Sequence, residues 1–221
     1  MLLAIDTATA LTGLALYNET GPRAECVWES GRNHTAQILP QLDLLLHHAG
    51  VERTALRAVA VSLGPGSWSG LRVGLSLAKG LVLAGGLRII GISTLEALVY
   101  QYGRPGMPIY PLIRLGRDRF ATAPFIPDPH GLGRQGPDRN LALDELCTII
   151  NIPTLLCGDL DETMLTRLRR ASGTTLHAPP PAAALRRPTY LAELAWQHLS
   201  TGRQDDVATL EPIYLGEAVR S

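Results

Sequence analysis

The first group of residues in this 221-residue sequence that could bind a ligand or catalyse a reaction lies in a glycine- and serine-rich loop. The loop has the sequence G-P-G-S-W-S-G, from Gly64 to Gly70, and it joins two apolar segments. Glycine-rich loops that lead into a helix can bind phosphate, and a serine centred between glycines can be a catalytic nucleophile. The spacing of the loop residues allows each of these sites to be tested.

Three kinds of site fail this test. A Walker-type phosphate loop requires lysine directly after its last glycine, where this chain has Leu71. A dinucleotide fingerprint requires G-x-G-x-x-G, but the third glycine comes one residue too late. A nucleophile elbow requires serine at the centre of G-x-S-x-G, where this chain has Trp68. We therefore interpret the loop as a tight turn that docks the following helix.

A second chemical candidate follows the first apolar segment, where Asp6 precedes Thr7 and Thr9. Actin-type ATPases hold phosphate and magnesium at such a strand end, so these three residues are candidate nucleotide ligands. Those enzymes need glycine in the turn to let the backbone approach the phosphate, and this turn contains Ala8 instead. The alternative is a structural role, in which the carboxylate caps its own turn.

The histidines and cysteines do not predict a metal site. The three cysteines are odd in number and widely spaced, which fits neither a disulfide framework nor a zinc site. We expect a reducing, cytoplasmic setting, no metal and no cofactor. The six histidines also lack ligand spacing; they are His34, His47, His48, His130, His177 and His198.

Composition restricts the class of protein. Apolar residues make up 46% of the chain and charged residues 18%, as expected for a globular protein. The formal net charge is zero, which argues against nucleic-acid binding by bulk electrostatics. Neither a basic leader nor a long apolar segment is present, so we expect no signal peptide and no membrane span.

The helix predicted for residues 70–84 is apolar around most of its circumference, so it must be covered on more than one side. Gly70, Gly74 and Ala78 recur every fourth residue and form a strip that another backbone could approach closely. We predict that Gly74 lies at a helix–helix contact and that a partner provides the other helix, because exposed apolar surface marks interfaces.

The predicted elements begin with three antiparallel strands and continue with alternating helices and strands. In the first half, the strands are predicted at residues 2–5, 11–17, 23–28, 59–63 and 87–92, and the helices at 35–49, 70–84 and 93–102. In the second half, strands are predicted at 109–115, 119–125, 154–157 and 174–177, helices at 161–170 and 189–199, and a loop at 127–140.

Four stretches resemble the bacterial TsaB (YeaZ-like) family of glycoprotease-like proteins. They are A-I-D-T-A-T, R-N-H-T-A-Q-I-L-P, G-P-G-S-W-S-G-L-R-V-G-L-S-L-A-K-G-L and I-S-T-L-E-A-L, with E-P-I-Y-L near the C-terminus. The resemblance implies an α/β, two-lobed ribonuclease H-like/actin-type ATPase (ASKHA) fold. Residues 1–104, joined by 205–221, would form the first lobe, and residues 105–204 the more divergent second lobe.

The resemblance also implies a function, that of a non-catalytic subunit in the synthesis of threonylcarbamoyladenosine in tRNA. Such a subunit dimerises when alone and pairs with a catalytic TsaD subunit, which modifies the adenosine next to the anticodon. A TsaE-like ATPase joins the assembly, and tRNA binds only through the complex. The implied partner interface comprises Ile38, Gln41, Leu45, Trp68, Gly70, Val73, Gly74, Leu77 and Ala78.

Two alternative functions are open from the residues. One is an actin-type ATPase or kinase that uses Asp6, and the other is a direct tRNA binder, which the neutral charge disfavours. The sequence departs from the family at Arg114-Leu115-Gly116-Arg117, where relatives usually carry an Asp-Ala-Arg cluster. Neither glycoprotease chemistry nor the metal-binding H-x-x-x-H pair of TsaD is expected, because no second histidine follows His34 at that spacing.

Overall fold

The computed structural model describes residues 1–31, 33–103, 106–116, 118–128 and 131–215. The chain divides into two compact units. The first contains Met1–Ala97 and Arg187–Ile213, and the second contains Leu98–Arg186 and the residues from Tyr214 on. Among the described residues, no helix combines the length and apolarity needed to cross a membrane.

The first unit is built on a five-stranded sheet with the order β3-β2-β1-β4-β5. β2 is antiparallel to both of its neighbours, β1 and β3, whereas β1, β4 and β5 are parallel, which confirms the predicted order of elements. The strands are β1 (Leu2–Asp6), β2 (Leu11–Asn18), β3 (Gly21–Glu29), β4 (Ala58–Gly64) and β5 (Arg88–Ser93).

Helices cover both faces of this sheet, because β1 and β4 are apolar on both sides. On one face, α1 (His34–Ala49) and α2 (Trp68–Gly85) pack against a core that includes Leu3 and Val59. On the other face, α7 (Pro188–Ser200) packs with α3 (Thr94–Tyr100) in a separate core.

The ends of α1 and α2 follow the capping signals of the sequence. Gly50, at the end of α1, and Gly86, at the end of α2, adopt φ values of 63° and 60°, the left-handed conformation that glycine tolerates best. Ser67 caps the start of α2, since its side chain accepts a hydrogen bond from Gly70 N. Both helices begin slightly before their predicted starts.

The chain returns to the first unit near its C-terminus. The predicted boundaries at 104 and 205 differ from the observed division, because α7 packs against the first sheet through Leu191, Ala192 and Ala195. The segment after α7 then follows the edge strand β5, where Gly91 N donates to Asp205 Oδ2 at 2.7 Å. Ile213 N donates to a carbonyl of β4 at 2.7 Å, so this segment also contacts the end of that strand.

The second unit contains a seven-stranded sheet with the path β10-β7-β6-β11-β12, to which β8 and β9 add a hairpin. Three short helices accompany it: α4 (Leu143–Ile149), α5 (Glu162–Ala171) and α6 (Pro181–Ala184). The strands are β6 (Ile109–Gly116), β7 (Arg119–Thr122), β8 (Phe125–Asp128), β9 (Gly131–Arg134), β10 (Arg139–Ala142), β11 (Thr154–Gly158) and β12 (Leu176–His177).

The prediction of a loop at residues 127–140 is wrong, because most of the described residues in this range belong to strands. β9 and β10 lie within it, and β8 extends into it as far as Asp128. Glycine, proline and aspartate are uncommon in strands, so the composition of this segment favoured a loop. The strands form nevertheless, because backbone hydrogen bonds hold them together whatever the side chains. Pro129 and His130 lie outside the described residues, as do Arg104 and Pro105 of the expected linker.

Candidate functional site

The candidate nucleotide ligands lie together in the turn after β1, and all three are buried. Asp6, Thr7 and Thr9 are at most 8% exposed. The Asp6 carboxylate accepts a hydrogen bond from Ala8 N at 3.1 Å, and Thr9 Oγ1 accepts one from Leu11 N at 3.3 Å. These two side chains therefore cap their own turn, which is the structural role that the sequence left open.

The backbone of the same turn is also engaged. Thr7 N donates to Ser62 Oγ at 3.3 Å, and the Ala8 carbonyl accepts a hydrogen bond from Ser67 N at 2.6 Å. Phosphate-binding turns present backbone N–H groups to the ligand. Here the N–H groups of Thr7 and Ala8 already have acceptors within the first unit.

The glycine strip of α2 contacts this turn. A side-chain carbon at Gly70 would meet the Thr7 carbonyl oxygen, and one at Gly74 would meet Thr7 Oγ1. Thr7 Oγ1 also donates to the Gly70 carbonyl at 2.8 Å. The predicted helix–helix contact at Gly74 is therefore wrong. The strip is covered by the chain's own β1–β2 turn, which only glycine allows to approach so closely.

The structure separates the predicted interface residues into two groups. Ile38, Leu45 and Ala78 join Gly70 and Gly74 in the buried interior of the first unit, where a partner cannot reach them without unfolding. This part of the predicted interface is corrected, because the apolar face of each helix is needed to cover the sheet. The remaining residues are accessible: Gln41, Val73 and Leu77 are half-buried, and Trp68 is 53% exposed.

Further apolar side chains on the same two helices are exposed. Leu39 and Leu44 on α1 are each 49% exposed, and Leu83 near the end of α2 is 71% exposed. From the sequence, Leu39 belonged to the apolar face of α1 that covers the core, whereas Leu44 and Leu83 carried no prediction of their own. We define the outer helix surface as Leu39, Gln41, Leu44, Trp68, Val73 and Leu77.

Trp68 begins α2 and is stacked against the next turn of that helix. The guanidinium carbon of Arg72 lies 4.4 Å from the centroid of the Trp68 ring, a distance typical of a cation–π contact. This contact orders a large side chain while leaving half of it exposed. Tryptophan and arginine are enriched among the residues that contribute most to protein–protein binding. The pair therefore has the chemistry of an interface anchor.

His34, the first residue of α1, lies in a buried polar cluster that the sequence did not predict. Its Nδ1 is 2.7 Å from Thr12 Oγ1 and 2.8 Å from Ser30 Oγ. Burial lowers the pKa of His34 below its ordinary value, because the charged imidazolium would lose hydration. From the sequence, His34 was a candidate only for a metal ligand, and one of its two hydroxyl partners, Thr12, is 22 residues away.

The described residues contain no group of three or more histidine, cysteine, aspartate or glutamate side chains placed to hold a metal ion. His130 lies outside the described residues. In the segment that departs from the family pattern, the Arg114 guanidinium is 3.5 Å from Asp161 Oδ2 and 5.3 Å from the Phe120 ring centroid. Arg117, from the same segment, is outside the described residues.

Comparisons with known proteins identify similar sequences and a similar fold. The family model of TsaD, tRNA N6-adenosine threonylcarbamoyltransferase, matches residues 28–124. The chain is 42% identical to the TsaB protein of Escherichia coli over 97 residues, which are 44% of this chain and 42% of the relative. It is 28% identical to Bacillus subtilis TsaB over 217 residues, which cover 97% of this chain and 93% of the relative. Both relatives are named tRNA threonylcarbamoyladenosine biosynthesis proteins.

The match thus spans about two fifths of the Escherichia coli relative but nearly all of the Bacillus subtilis relative. Among solved structures, YeaZ from Pseudomonas aeruginosa superposes with a TM-score of 0.78 at 22% identity, over 97% of this chain and 99% of YeaZ. EutJ from Carboxydothermus hydrogenoformans superposes with a TM-score of 0.54 at 13% identity, over 86% of this chain and 88% of EutJ. These likenesses and the sheet order of the first unit confirm the predicted two-lobed ASKHA fold.

Proposed function

Because the chain belongs to the TsaB (YeaZ-like) family of glycoprotease-like proteins, we propose that it acts in threonylcarbamoyladenosine biosynthesis as a non-catalytic subunit. The observation that supports this role most directly is the occupied turn after β1. Asp6, Thr7 and Thr9 are buried, and the turn N–H groups that would contact phosphate donate to Ser62 and Asp6 instead. Such a turn stabilises the fold and offers little to a nucleotide.

The proposed partner is a TsaD-like threonylcarbamoyltransferase that docks on the outer helix surface. This surface combines exposed apolar side chains with the Trp68–Arg72 pair, although a helix facing water normally presents polar residues. In the absence of that partner, a second copy of the chain would cover the same surface. A TsaE-like ATPase and tRNA would join through the complex, in the cytoplasm.

Omission of single components from a reconstituted reaction tests the proposed role. We expect the chain alone to leave tRNA unmodified, and the full set of components to modify it only when this chain and the TsaD-like subunit are both present. Mass spectrometry of digested tRNA would measure the modified nucleoside. Modification by this chain without the TsaD-like subunit would overturn the non-catalytic assignment.

Titration with ATP–magnesium tests the alternative of an actin-type ATPase. We expect calorimetry of the isolated chain to show no saturable binding, because the N–H groups of Thr7 and Ala8 are already hydrogen-bonded. An Asp6→Asn variant serves as the matched control, since it removes the charge but preserves the side-chain shape. Saturable binding by the natural chain that is lost in Asp6→Asn would favour the ATPase.

A further inference from the structure

The His34 cluster joins three segments of the first unit. Thr12 lies on β2, Ser30 follows β3, and His34 begins α1. In addition to their contacts with Nδ1, the two hydroxyl oxygens are 2.8 Å apart, and Ser30 Oγ donates to the Ala10 carbonyl at 3.1 Å. The cluster therefore attaches the first turn of α1 to two strands.

The number of hydrogens in the cluster assigns the tautomer of His34. With a proton on Nδ1, the ring donates to Thr12, Thr12 donates to Ser30, and Ser30 donates to the Ala10 carbonyl. Three of the four short contacts then contain a hydrogen. Without that proton, two hydroxyl hydrogens would serve four contacts, and lone pairs would face each other in two of them. The Nδ1–H form satisfies the cluster, so the lone pair lies on Nε2.

A second proton, added at Nε2, would create a charge in an unfavourable place. His34 is only 3% exposed, and it begins a helix, where the helix dipole opposes a cation. Among the described residues, its hydrogen bonds go to hydroxyl groups and none to a carboxylate. The titratable or charged groups on α1 and the elements packed against it are Asp6, Tyr17, Arg23, Glu25, Cys26, Glu29, Asp43, His47, His48, Arg72 and Lys79. Arg32, two residues before His34, is outside the described residues.

We propose that the cluster of His34, Thr12 and Ser30 is a proton-sensitive anchor that fixes the first turn of α1 when His34 is neutral and releases it in mild acid. Because α1 carries part of the outer helix surface, release would weaken docking; this consequence rests on the proposed function. Burial lowers the pKa of His34 in the folded chain. The anchor therefore stabilises α1 fully above the unfolded-state pKa of about 6.5 and less as the pH falls below it.

Two measurements on the unmodified full-length chain test the anchor. NMR of the imidazole nitrogens at pH 7.5 should show the proton on Nδ1, and a proton on Nε2 would overturn the tautomer assignment. Amide hydrogen exchange at residues 37–39, corrected for its intrinsic pH dependence, should reveal opening that increases by up to about tenfold per pH unit below 6.5. Exchange that does not change between pH 7.5 and 5.5 would contradict the proposal.

His34→Asn provides the matched variant, because the asparagine Nδ2 can donate to Thr12 from the position of Nδ1 but does not titrate. The acid-dependent opening should disappear in His34→Asn and persist in His48→Asn, a change at an exposed position of the same helix. Persistence in His34→Asn would overturn the anchor. The experiment uses the chain without the TsaD-like subunit, at concentrations where sedimentation shows it to be monomeric, so docking does not affect the exchange. A pH-sensitive α1 in a chain that does not bind the TsaD-like subunit would contradict the proposed function and leave the anchor intact.

Discussion

Alanine at position 70 or 74 is expected to lower the stability of the isolated chain by about 1–3 kcal/mol, as overpacking typically does. A β-carbon at Gly70 would meet the Thr7 carbonyl oxygen, which is backbone and cannot rotate away. At Gly74 it would meet Thr7 Oγ1, which could move only by giving up its hydrogen bond to the Gly70 carbonyl. Thermal and urea unfolding of the isolated chain, at concentrations where sedimentation shows it to be monomeric, would measure the loss.

Gly80 on the same helix provides the control for this prediction. A β-carbon there meets no atom within 4 Å, so Gly80→Ala should raise stability by about 0.5–1 kcal/mol through helix propensity alone. Combining Gly74→Ala with Thr7→Ala removes the clashing hydroxyl, and the loss from Gly74→Ala should then be smaller than in the natural background. If Gly74→Ala changed association and left the melt unchanged, the strip would contact a partner instead of Thr7.

Local signals made the elements of the first unit predictable. Gly50 and Gly86 marked the ends of two helices, and Ser67 and Ser69 were both candidates for the cap of α2, which Ser67 provides. The second unit was harder because most of its strands are short and four of them, β6, β8, β9 and β11, contain proline or glycine. Pairing of such strands depends on backbone groups brought together by the fold, a property that side-chain periodicity does not record.

The candidate site was only partly predictable for a related reason. The sequence placed Asp6, Thr7 and Thr9 correctly at a strand end, and it identified the strip that includes Gly74 as a place of close approach. It assigned that approach to the wrong neighbour. The spacing of residues along a helix shows which face of α2 carries small side chains, but it does not show which segment packs against that face. The hydroxyl partners of His34 are 22 and 4 residues away, on separate segments. Their convergence is a result of the tertiary structure.

The outer helix surface leads to the other prediction with a large expected effect, the replacement of Leu39 by glutamate. A fully buried leucine side chain contributes about 1.5–3 kcal/mol, and docking would bury only the exposed half of Leu39, which contributes about 0.7–1.5 kcal/mol. Loss of that amount would weaken association with the proposed TsaD-like partner by about 3–10-fold, and the desolvation of glutamate would add to the effect. The fold should be unaffected, because Leu39 is 49% exposed in the isolated chain.

Ile152→Glu is the matched control for Leu39→Glu. Ile152 is also 49% exposed, but it belongs to the second unit and lies just before β11. Both variants add the same charge at an equally exposed apolar position, so a general effect of charge on solubility or assembly would appear in both. Sedimentation velocity of each variant alone and calorimetry with the TsaD-like subunit would compare them. Equal affinities for the two variants would mean that α1 does not carry the docking surface, whereas selective loss in Leu39→Glu would locate the contact on that helix.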